Sequence, residues 1–438
     1  MSRFAPLVCL VALALLNAQN GKKYKDDAEF QLHDQATKDF AAGNFAKTIA
    51  DLDAWKEKYP ESEFNDDRQL LYVQAYSKAN QPAKAIDAAA PLFASGSKVL
   101  AGPPEDAIRL LYTVSASIPA IADPTGDQME AADKAATALL TYDRSPAGVT
   151  PEAWTQLRGQ LQAAANGALL YIALTPIGKA MKTNNCADAE AASLKAVEKF
   201  PESAQAAWYL GSAALCQIKT HPEKASLTLY EFARAAVLDP AKGMVDPKWQ
   251  KMTVEPSLQK LYTQYHGADA DGLKQLKETA LKSPTPPDGF KIKSAAEIAQ
   301  DKDVEFASKN PELALWNRVK TALADSSGEQ YFASDLRGVE LPQLYGVLVE
   351  AKPACRPRLL LVAPRAADGP KDAPAEITLK LDKPLPGKPE AGSAFHWQGQ
   401  AAEFTREPFM LTMDTDTAKI PDLHTMPCAT VQRPKRAR

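Results

Sequence analysis

The sequence predicts a mainly helical chain in two parts: an α-solenoid of stacked helical hairpins, then a small all-β domain. The first observation is a motif written twice, at residues 58–62 (KYPES) and 199–203 (KFPES), each time closing an Ala-rich amphipathic helix. We call it the KxPES motif. Its proline ends one helix, and its Glu-Ser supplies capping residues for the next, so the recurring join is typical of stacked hairpins. The second observation is a change after Gly338 from helical spacing to short strand-like runs separated by Gly and Pro.

The composition indicates a folded chain with little net charge. The chain has 438 residues, 45% of them hydrophobic, which is enough for two or three domains with real cores. The formal net charge is −3, with 51 basic and 54 acidic residues. This balance gives no reason to expect nucleic acid or an anionic membrane as the main partner.

The first 18 residues have the pattern of a secretory signal peptide. Arg3 precedes an apolar run at residues 7–16, and Ala18 stands before a polar stretch. Cleavage after Ala18 is expected, although Leu16 is bulkier than usual at its position; the alternative is an uncleaved anchor. The run is too short to span a bilayer, and no other stretch is long and apolar enough. We therefore expect an exported protein, periplasmic or secreted, with no transmembrane segment in the mature chain.

Residues 32–62 carry a family resemblance. They have a small residue at Ala36, a Gly-Asn-Phe turn at residues 43–45 and a closing Tyr-Pro at residues 59–60. The inward-facing positions of their second helix are Ile49, Leu52 and Trp55. This segment resembles a tetratricopeptide repeat, a helix-turn-helix unit of about 34 residues. It departs from the family pattern at Thr48, where the family prefers Ala.

Three further segments resemble the same repeat, at residues 66–92, 184–203 and 207–240. The resemblance implies an α-solenoid over residues 22–282, with an ordinary all-helical bundle as the alternative. Between the second and third repeats the pattern is helical but irregular, with helix starts at residues 103–105, 125–127 and 150–152.

Residues 283–337 are predicted to be a connector. It begins with a stiff Pro-rich linker at residues 283–289. Two helices are expected at residues 294–309 and 311–324, the first with the capping-box spacing of Ser294 and Glu297.

Residues 338–420 are predicted to form the small β-domain. Strands are expected at residues 344–349, 358–362, 376–381, 394–399 and 408–413. The domain is similar to an oligonucleotide/oligosaccharide-binding (OB) barrel, with a sandwich as the alternative. Its aromatic residues are candidates to stack on sugars or bases, but core packing is the default, and residues 341–420 contain equal numbers of basic and acidic residues. Those aromatic residues are Tyr345, Phe395, Trp397, Phe404 and Phe409. Residues 421–438 are expected to be a basic, disordered tail.

Catalytic motifs are missing from the sequence. The histidines show no metal-type pairing, and there is no Cys-x-x-Cys pair, phosphate-binding loop or nucleophile elbow. The Asp-rich stretch at residues 414–417 is interpreted as a turn. We therefore expect no catalytic residue, no metal and no cofactor, while catalysis by dispersed residues stays open.

Removal of the signal peptide takes Cys9 with it and leaves four cysteines. Pro201 lies midway between Cys186 and Cys216, so the two face each other across an antiparallel helix pair. A disulfide there closes a loop of about 30 residues and contributes ~3 kcal/mol; two small buried thiols are the alternative. A disulfide between Cys355 and Cys428 is suggested only because these are the two cysteines that remain. Whether they pair stays open.

The resemblance implies partner contacts on a concave wall formed by the first helix of each repeat. The matching positions are Phe30, His33, Thr37, Phe40, Leu70, Gln74, Lys78, Gln205, Trp208 and Ser212. Packing is the more expected role for Phe40, Leu70 and Trp208. The residues selected for partner binding are His33, Thr37, Gln74, Lys78, Gln205, Trp208 and Ser212.

The functional hypothesis is an exported, non-enzymatic scaffold that binds protein or peptide partners in the bacterial cell envelope. The alternative is a binding module whose β-domain holds a small molecule or glycan while the helices support it. An enzyme with an unrecognised site comes third. The sequence leaves the partner and the oligomeric state open.

Overall fold

The computed structural model describes residues 22–93, 97–243, 245–370 and 372–428. They form two compact units, the first ending at Ile292 and the second starting at Lys293. The predicted signal peptide and the last ten residues of the predicted tail lie outside the described residues. The chain is mainly helical with a small barrel near its end, as predicted.

Unit 1 is helical. Its helices are α1 (Asp27–Ala41), α2 (Phe45–Lys58), α3 (Asn65–Lys78), α4 (Pro82–Ala89), α5 (Pro104–Ser117), α6 (Gly126–Thr141), α7 (Pro151–Lys182), α8 (Cys186–Lys199), α9 (Ala204–Leu215), α10 (Ala225–Val237), α11 (Pro247–Trp249), α12 (Glu255–Tyr265) and α13 (Ala270–Ala280). A π-helical turn, Gln250–Val254, joins α11 to α12. Helices α5, α6 and α7 start where the sequence predicts helix starts, and the side chains of Thr125 and Thr150 cap the last two.

Helices that follow one another in unit 1 pack together from α1 through α10. Helices two apart also touch: α3 packs on α5, α5 on α7, and α4 on α6. Between α3 and α7, each helix therefore packs both on the next helix and on the one after it.

Three helix-to-helix turns have the same backbone. Each places one residue in the left-handed region: Gly43 at φ 78°, Asn80 at φ 57° and Asn184 at φ 54°. Glycine and asparagine tolerate that conformation best. In each turn the following N–H bonds back to a carbonyl in the last turn of the preceding helix, as in a Schellman motif. These bonds are Asn44 N to Asp39 O at 2.9 Å, Gln81 N to Tyr76 O at 2.8 Å and Asn185 N to Ala180 O at 2.9 Å.

The two copies of the KxPES motif also share one backbone geometry. Tyr59 and Phe200 both lie at φ −130° and ψ 67°, directly before the proline. Each closes its helix with an N–H bond of 2.8 Å, to Trp55 O and Ala196 O. The proline forces its predecessor out of the helical region, so equal sequences give equal joins.

The Pro-rich segment after α13 is fixed to unit 1. Its Ser283 carbonyl accepts a hydrogen bond of 3.0 Å from Tyr230, and its Pro284 carbonyl accepts one of 2.9 Å from Arg234. At its end, the Ile292 N–H donates to Ser226 Oγ at 3.0 Å. The sequence places a domain boundary at residue 282, whereas these bonds to α10 keep residues 283–292 in unit 1.

Unit 2 combines short helices with β-strands. The helices are α14 (Ala295–Lys309), α15 (Pro311–Ala324) and α16 (Gly328–Tyr331), and a π-helical turn, Phe332–Leu336, follows. The strands are β1 (Glu340–Lys352), β2 (Leu359–Pro364), β3 (Ile377–Leu381), β4 (Lys388–Pro389), β5 (Ala394–Arg406), β6 (Phe409–Thr415) and β7 (Thr425–Met426). The predicted capping box of Ser294 and Glu297 is present at the start of α14.

Five strands close into a barrel in the order β1-β2-β3-β6-β5. All neighbours are antiparallel except β3 and β6, which are parallel. A closed barrel decides between the two predicted β architectures, because a sandwich needs two separate sheets.

Helix α15 and the π-helical turn after α16 contribute to the barrel core. Trp316 of α15 packs with the barrel residues, and its Nε1 donates to Glu376 Oε2 at 2.7 Å. Lys320 pairs with the same carboxylate. The sequence assigns α15 to a connector ending at residue 337, but buried apolar contact and this ion pair join it to the barrel.

The β-domain extends past residue 420, where the sequence places its end. Strand β7 pairs with β4, and Cys428 is bonded to Cys355. The disordered tail expected from residue 421 therefore does not describe residues 421–428. The rest of the tail, residues 429–438, lies outside the described residues.

Among the described residues, α7 is long and apolar enough to cross a membrane by length and composition alone. From the sequence, no such stretch is expected after the signal peptide. In the structure α7 packs against α5, α6 and α8 and contributes Leu161 and Leu170 to the cores of unit 1. A core helix therefore accounts for its apolar composition.

Candidate functional site

The predicted partner-binding residues lie in two parts of unit 1. His33 and Thr37 are on α1, and Gln74 and Lys78 are on α3. The remaining three, Gln205, Trp208 and Ser212, are on α9, which packs on α7, α8 and α10. Lys78 is exposed, and Thr37, Gln74, Gln205 and Ser212 are half-buried. Partner binding by these five residues stays a prediction.

Trp208 is engaged inside the fold. Its ring stacks on Phe232 at 4.3 Å between centroids and meets the edge of Trp249 at 5.9 Å. Packing, the role expected for this residue, is therefore what the structure shows. Leu70 is likewise buried, and Phe40 packs edge-on against Phe45 at 5.6 Å.

His33 is half-buried and already has partners. Its ring stacks on Trp55 at 4.8 Å, and its Nδ1 lies 2.7 Å from the Tyr24 hydroxyl. Burial lowers the pKa of His33, although Asp67 and Asp34 act in the opposite direction. The imidazole is therefore neutral near pH 7, and one of its nitrogens is engaged by Tyr24.

Tyr24 belongs to the site although the sequence does not indicate it. Its ring stacks on Phe64 at 4.2 Å and meets the edge of Phe30 at 5.3 Å. We call the surface formed by Phe30, His33 and Phe64 the Tyr24 pocket. Burial raises the pKa of Tyr24, as do Asp67 and Glu29. The phenol therefore stays protonated and available as a donor to His33.

The entry into α1 fixes the chain beside this pocket. Asp26 caps α1 by accepting from the Glu29 N–H at 2.9 Å, and it also accepts from the Tyr59 hydroxyl at 2.5 Å. That bond lowers the pKa of Asp26 and raises the pKa of Tyr59 to about 12. Through Tyr59, the first KxPES motif is thus hydrogen-bonded to Asp26, the residue directly before α1.

Glu29 is a buried carboxylate under the same site. It accepts from Trp55 Nε1 at 3.2 Å and from the Lys25 N–H at 2.7 Å. Burial acts to raise the pKa of Glu29, but hydrogen bonds from Lys25, Ser62 and Trp55 outweigh it, and the pKa is lowered. Glu29 therefore holds its negative charge inside the fold.

Arg68 makes the floor of the site rigid. It is 1% exposed, and its guanidinium lies 5.3 Å from the Trp55 ring centroid. It donates to the Tyr59 carbonyl at 2.8 Å and to Asn65 Oδ1 at 2.7 Å. Both ends of the join between α2 and α3 are therefore held by one side chain.

The surroundings of the Tyr24 pocket are acidic. Helices α1, α3 and α5 each carry acidic residues in their first turn, where the helix dipole favours negative charge. These residues are Asp27 and Glu29, Asp66 and Asp67, and Glu105 and Asp106. Burial raises the pKa of Asp106, with Arg109 opposing and Asp67 adding to the rise. The negative charge of these carboxylates favours a basic peptide segment at this surface over an acidic one.

The barrel aromatics are mostly core residues. Phe395 is 1% exposed and Trp397 is 0% exposed, while Phe404 and Phe409 pack against the same core. Tyr345 is half-buried beside His396, at 4.9 Å between ring centroids. The buried rings are not placed to stack on a ligand.

No metal-binding cluster occurs in the part of the chain that the structure describes: no group of three or more His, Cys, Asp or Glu side chains could hold an ion there.

The predicted disulfide between Cys186 and Cys216 is confirmed, with 6.1 Å between the Cα atoms. Gln217 donates to the Cys186 carbonyl at 3.2 Å beside it. The second pair, Cys355 and Cys428, is also bonded, with 5.9 Å between Cα atoms. Two disulfides are typical of a protein from an oxidising compartment.

Two grooves lie away from the predicted residues. One, of about 430 Å³, runs between α6 and α7, and its apolar floor is formed by Met129, Ile172 and Pro176. The other, of about 740 Å³, lies between α14 and α15 in unit 2 and includes Phe306 and Arg318. Neither groove contains a residue selected from the sequence.

The sequence matches no protein-family model, and no curated protein is significantly similar to it.

Proposed function

We propose that the protein is an exported, non-enzymatic scaffold that binds protein or peptide partners through tetratricopeptide-like repeats of unit 1. The observation that carries the proposal is the repeated backbone. Three turns share a left-handed residue and the same back-bonded N–H, and two joins share one set of φ and ψ values. Repeated hairpins that pack on their neighbours build extended surfaces, and such surfaces are used mainly to hold partners.

The binding surface is proposed to include the exposed and half-buried positions of α1 and α3. Thr37, Gln74 and Lys78 leave polar groups at the surface of these helices, and acidic first turns surround the nearby Tyr24 pocket. Polar side chains on rigid helices give a partner directional contacts without an ordering cost in the scaffold.

Export to the cell envelope is supported by two features. The first 18 residues have the charge and apolar pattern of a signal peptide, and the chain carries two disulfides. We place the mature protein in the periplasm or outside the cell, with its N-terminus after Ala18. Edman sequencing of the protein recovered from the cell envelope tests this placement, and a sequence beginning at Met1 would contradict it.

The barrel is proposed to be of OB type, since five strands close into it with one parallel pair. Its interior is filled by side chains such as Trp397 and Leu360, so the glycan-binding alternative lacks the exposed rings on which it depends. We assign partner binding to unit 1 for this reason.

Photo-crosslinking in the full-length chain tests the proposal. Benzoylphenylalanine is placed at Gln74 or Lys78 on α3, and at the exposed Lys383 of unit 2 as the control. We expect protein adducts from both α3 positions, at several times the yield from Lys383. Adducts from Lys383 alone, or only glycan adducts, would refute the assignment of binding to unit 1.

A further inference from the structure

The chain's own residues 22–25 lie across the beginnings of α1 and α3 and fill the Tyr24 pocket. Two side chains point into the site. Lys22 Nζ is 2.5 Å from Asp67 Oδ2 and 5.6 Å from the Phe64 ring centroid, and Tyr24 stacks on Phe64 and meets His33. The anchored side chains are two residues apart, the spacing that puts side chains on one face of an extended segment.

The residues between them are held by their backbone. The Lys23 N–H donates to Glu63 Oε2 at 2.7 Å, and the Lys25 N–H donates to Glu29 Oε2 at 2.7 Å. Side-chain anchors therefore alternate with main-chain anchors along the segment. This alternation is how folded domains recognise extended peptides, with main-chain bonds for affinity and side-chain pockets for specificity.

The pocket is built by residues that hold one another. The Phe64 N–H donates to Ser62 Oγ at 3.0 Å, Trp55 is fully buried, and Arg68 holds the Tyr59 carbonyl. None of these contacts involves residues 22–26. The surface under Tyr24 should therefore keep its shape when the segment leaves, as expected of a pre-organised site.

Charge on the two sides is complementary. The segment carries Lys22, Lys23 and Lys25, whereas the surface presents Glu63 and Asp67 with other acidic first-turn residues around them. Because these pairs are partly exposed, their attraction adds selectivity for basic segments and weakens with salt.

We propose that this surface is a peptide-binding site and that residues 22–25 are its intramolecular occupant, while Asp26 stays in place as the cap of α1. The ligand that replaces them is an extended segment of a partner protein with Lys or Arg two residues before Tyr. The inference rests on the proposed function, since it names the partner chemistry of one end of unit 1. A partner binds only to the fraction of molecules whose own segment has left, so its apparent affinity is reduced by that fraction.

The probe is a fluorescent, acetylated peptide with the sequence GKKYKD, titrated into the full mature chain by anisotropy. The variants are Tyr24→Ala, which removes the ring from the pocket, and Lys23→Ala as the matched control, because that side chain is exposed. If the occupied fraction is 90–99%, Tyr24→Ala binds the peptide about 10- to 100-fold more tightly than the wild type. Lys23→Ala binds as the wild type does. Adding Asp67→Asn to Tyr24→Ala weakens binding at least threefold.

Two results would overturn the proposal. Absence of binding to a folded Tyr24→Ala chain would mean that the segment is a fixed part of the fold. Equal binding by the wild type and Tyr24→Ala would place the peptide elsewhere. If Tyr24→Ala does not fold, Tyr24→Phe keeps the stacking on Phe64 and removes the bond to His33, and about threefold tighter binding is expected.

Hydrogen exchange in the wild type gives a second measurement. Excess peptide should speed exchange at the Lys23 and Lys25 amides, and no change at saturating peptide would also overturn the proposal. Crosslinking from Gln74 and Lys78 does not depend on the Tyr24 pocket. Partner adducts without peptide binding would therefore remove this inference and leave the proposed function standing.

Discussion

Glu231 on α10 provides a sharp test of how burial sets stability in unit 1. Its side chain is 0% exposed, and Oε2 accepts from Arg234 Nη1 at 3.2 Å. The other oxygen, Oε1, has no hydrogen-bond partner among the described residues. Burial raises the pKa of Glu231 from 4.5 to about 7, although Arg234 opposes the rise. The folded chain therefore holds a proton here under conditions in which the unfolded chain has lost it.

The difference between the pKa of Glu231 in the folded and in the unfolded chain makes the free energy of unfolding depend on pH. Between pH 4.5 and pH 7 the folded state binds more protons at Glu231 than the unfolded state, so the free energy of unfolding falls as the pH rises. The contribution is fully present below the unfolded pKa and is lost as the pH rises through about 7. At 1.36 kcal/mol per pKa unit, the loss amounts to about 3 kcal/mol.

The perturbation is Glu231→Gln, which keeps an acceptor for Arg234 but cannot ionise. Urea unfolding at several pH values from 4.5 to 8 gives the free energy of unfolding of each chain. We expect the difference in the free energy of unfolding between wild type and variant to change by about 3 kcal/mol from pH 4.5 to pH 8. The change favours the variant at high pH. Glu198→Gln, at an exposed position of α8, is the matched control and should leave the slope unchanged. A Glu231→Gln profile parallel to that of the wild type would refute the reasoning.

Two further predictions concern packing and covalent locking. Gly211→Ala should destabilise the chain by about 1–3 kcal/mol, because the new Cβ meets the buried Phe232 ring at 2.5 and 2.7 Å. Gly159→Ala on α7 has open space and should stabilise by about 0.5–1 kcal/mol in the same urea assay; equal effects would contradict the packing argument. Replacing Cys186 and Cys216 by Ser should cost about 3–4 kcal/mol for a loop of this length and speed hydrogen exchange in α8 and α9. An unchanged unfolding midpoint would show that the disulfide contributes nothing.

Local features were predictable because few residues determine them. A proline fixes the conformation of the residue before it, and the starts of α6, α7 and α14 follow from Thr125, Thr150 and Ser294 as caps. The Cys186–Cys216 bond was also predictable, since equal distances from Pro201 on an antiparallel pair place both residues side by side.

Contacts between segments distant in the chain were not predictable in this way. The Lys-Lys-Tyr-Lys stretch before α1 is polar in composition, and nothing in it indicates that Tyr24 stacks on Phe64. The Pro-rich segment after α13 correctly indicates a break in helical structure, but its docking depends on Tyr230 and Arg234 of α10. The composition of a segment indicates its local conformation, whereas its burial depends on which distant parts of the chain the fold brings into contact with it.

The two KxPES copies show why the candidate site belongs to the first of them. A proline join leaves carbonyls without helical partners, and a buried arginine supplies donors in both copies: Arg68 to the Tyr59 carbonyl, and Arg234 to the Pro201 carbonyl. The arginines come from different helices, so the sequence repeats the acceptor but not its donor.

The surface beside each join differs as well. The first motif is followed by Glu63 and Phe64, which hold the Lys23 backbone and the Tyr24 ring. The corresponding residues after the second motif are Ala204 and Gln205, which offer neither a carboxylate nor a ring. The helix pair that the second motif joins carries a disulfide at its opposite end, between Cys186 at the start of α8 and Cys216 at the end of α9. The same backbone geometry therefore lies beside the proposed peptide site in the first copy and within a disulfide-closed helix pair in the second, because the side chains around the two joins differ.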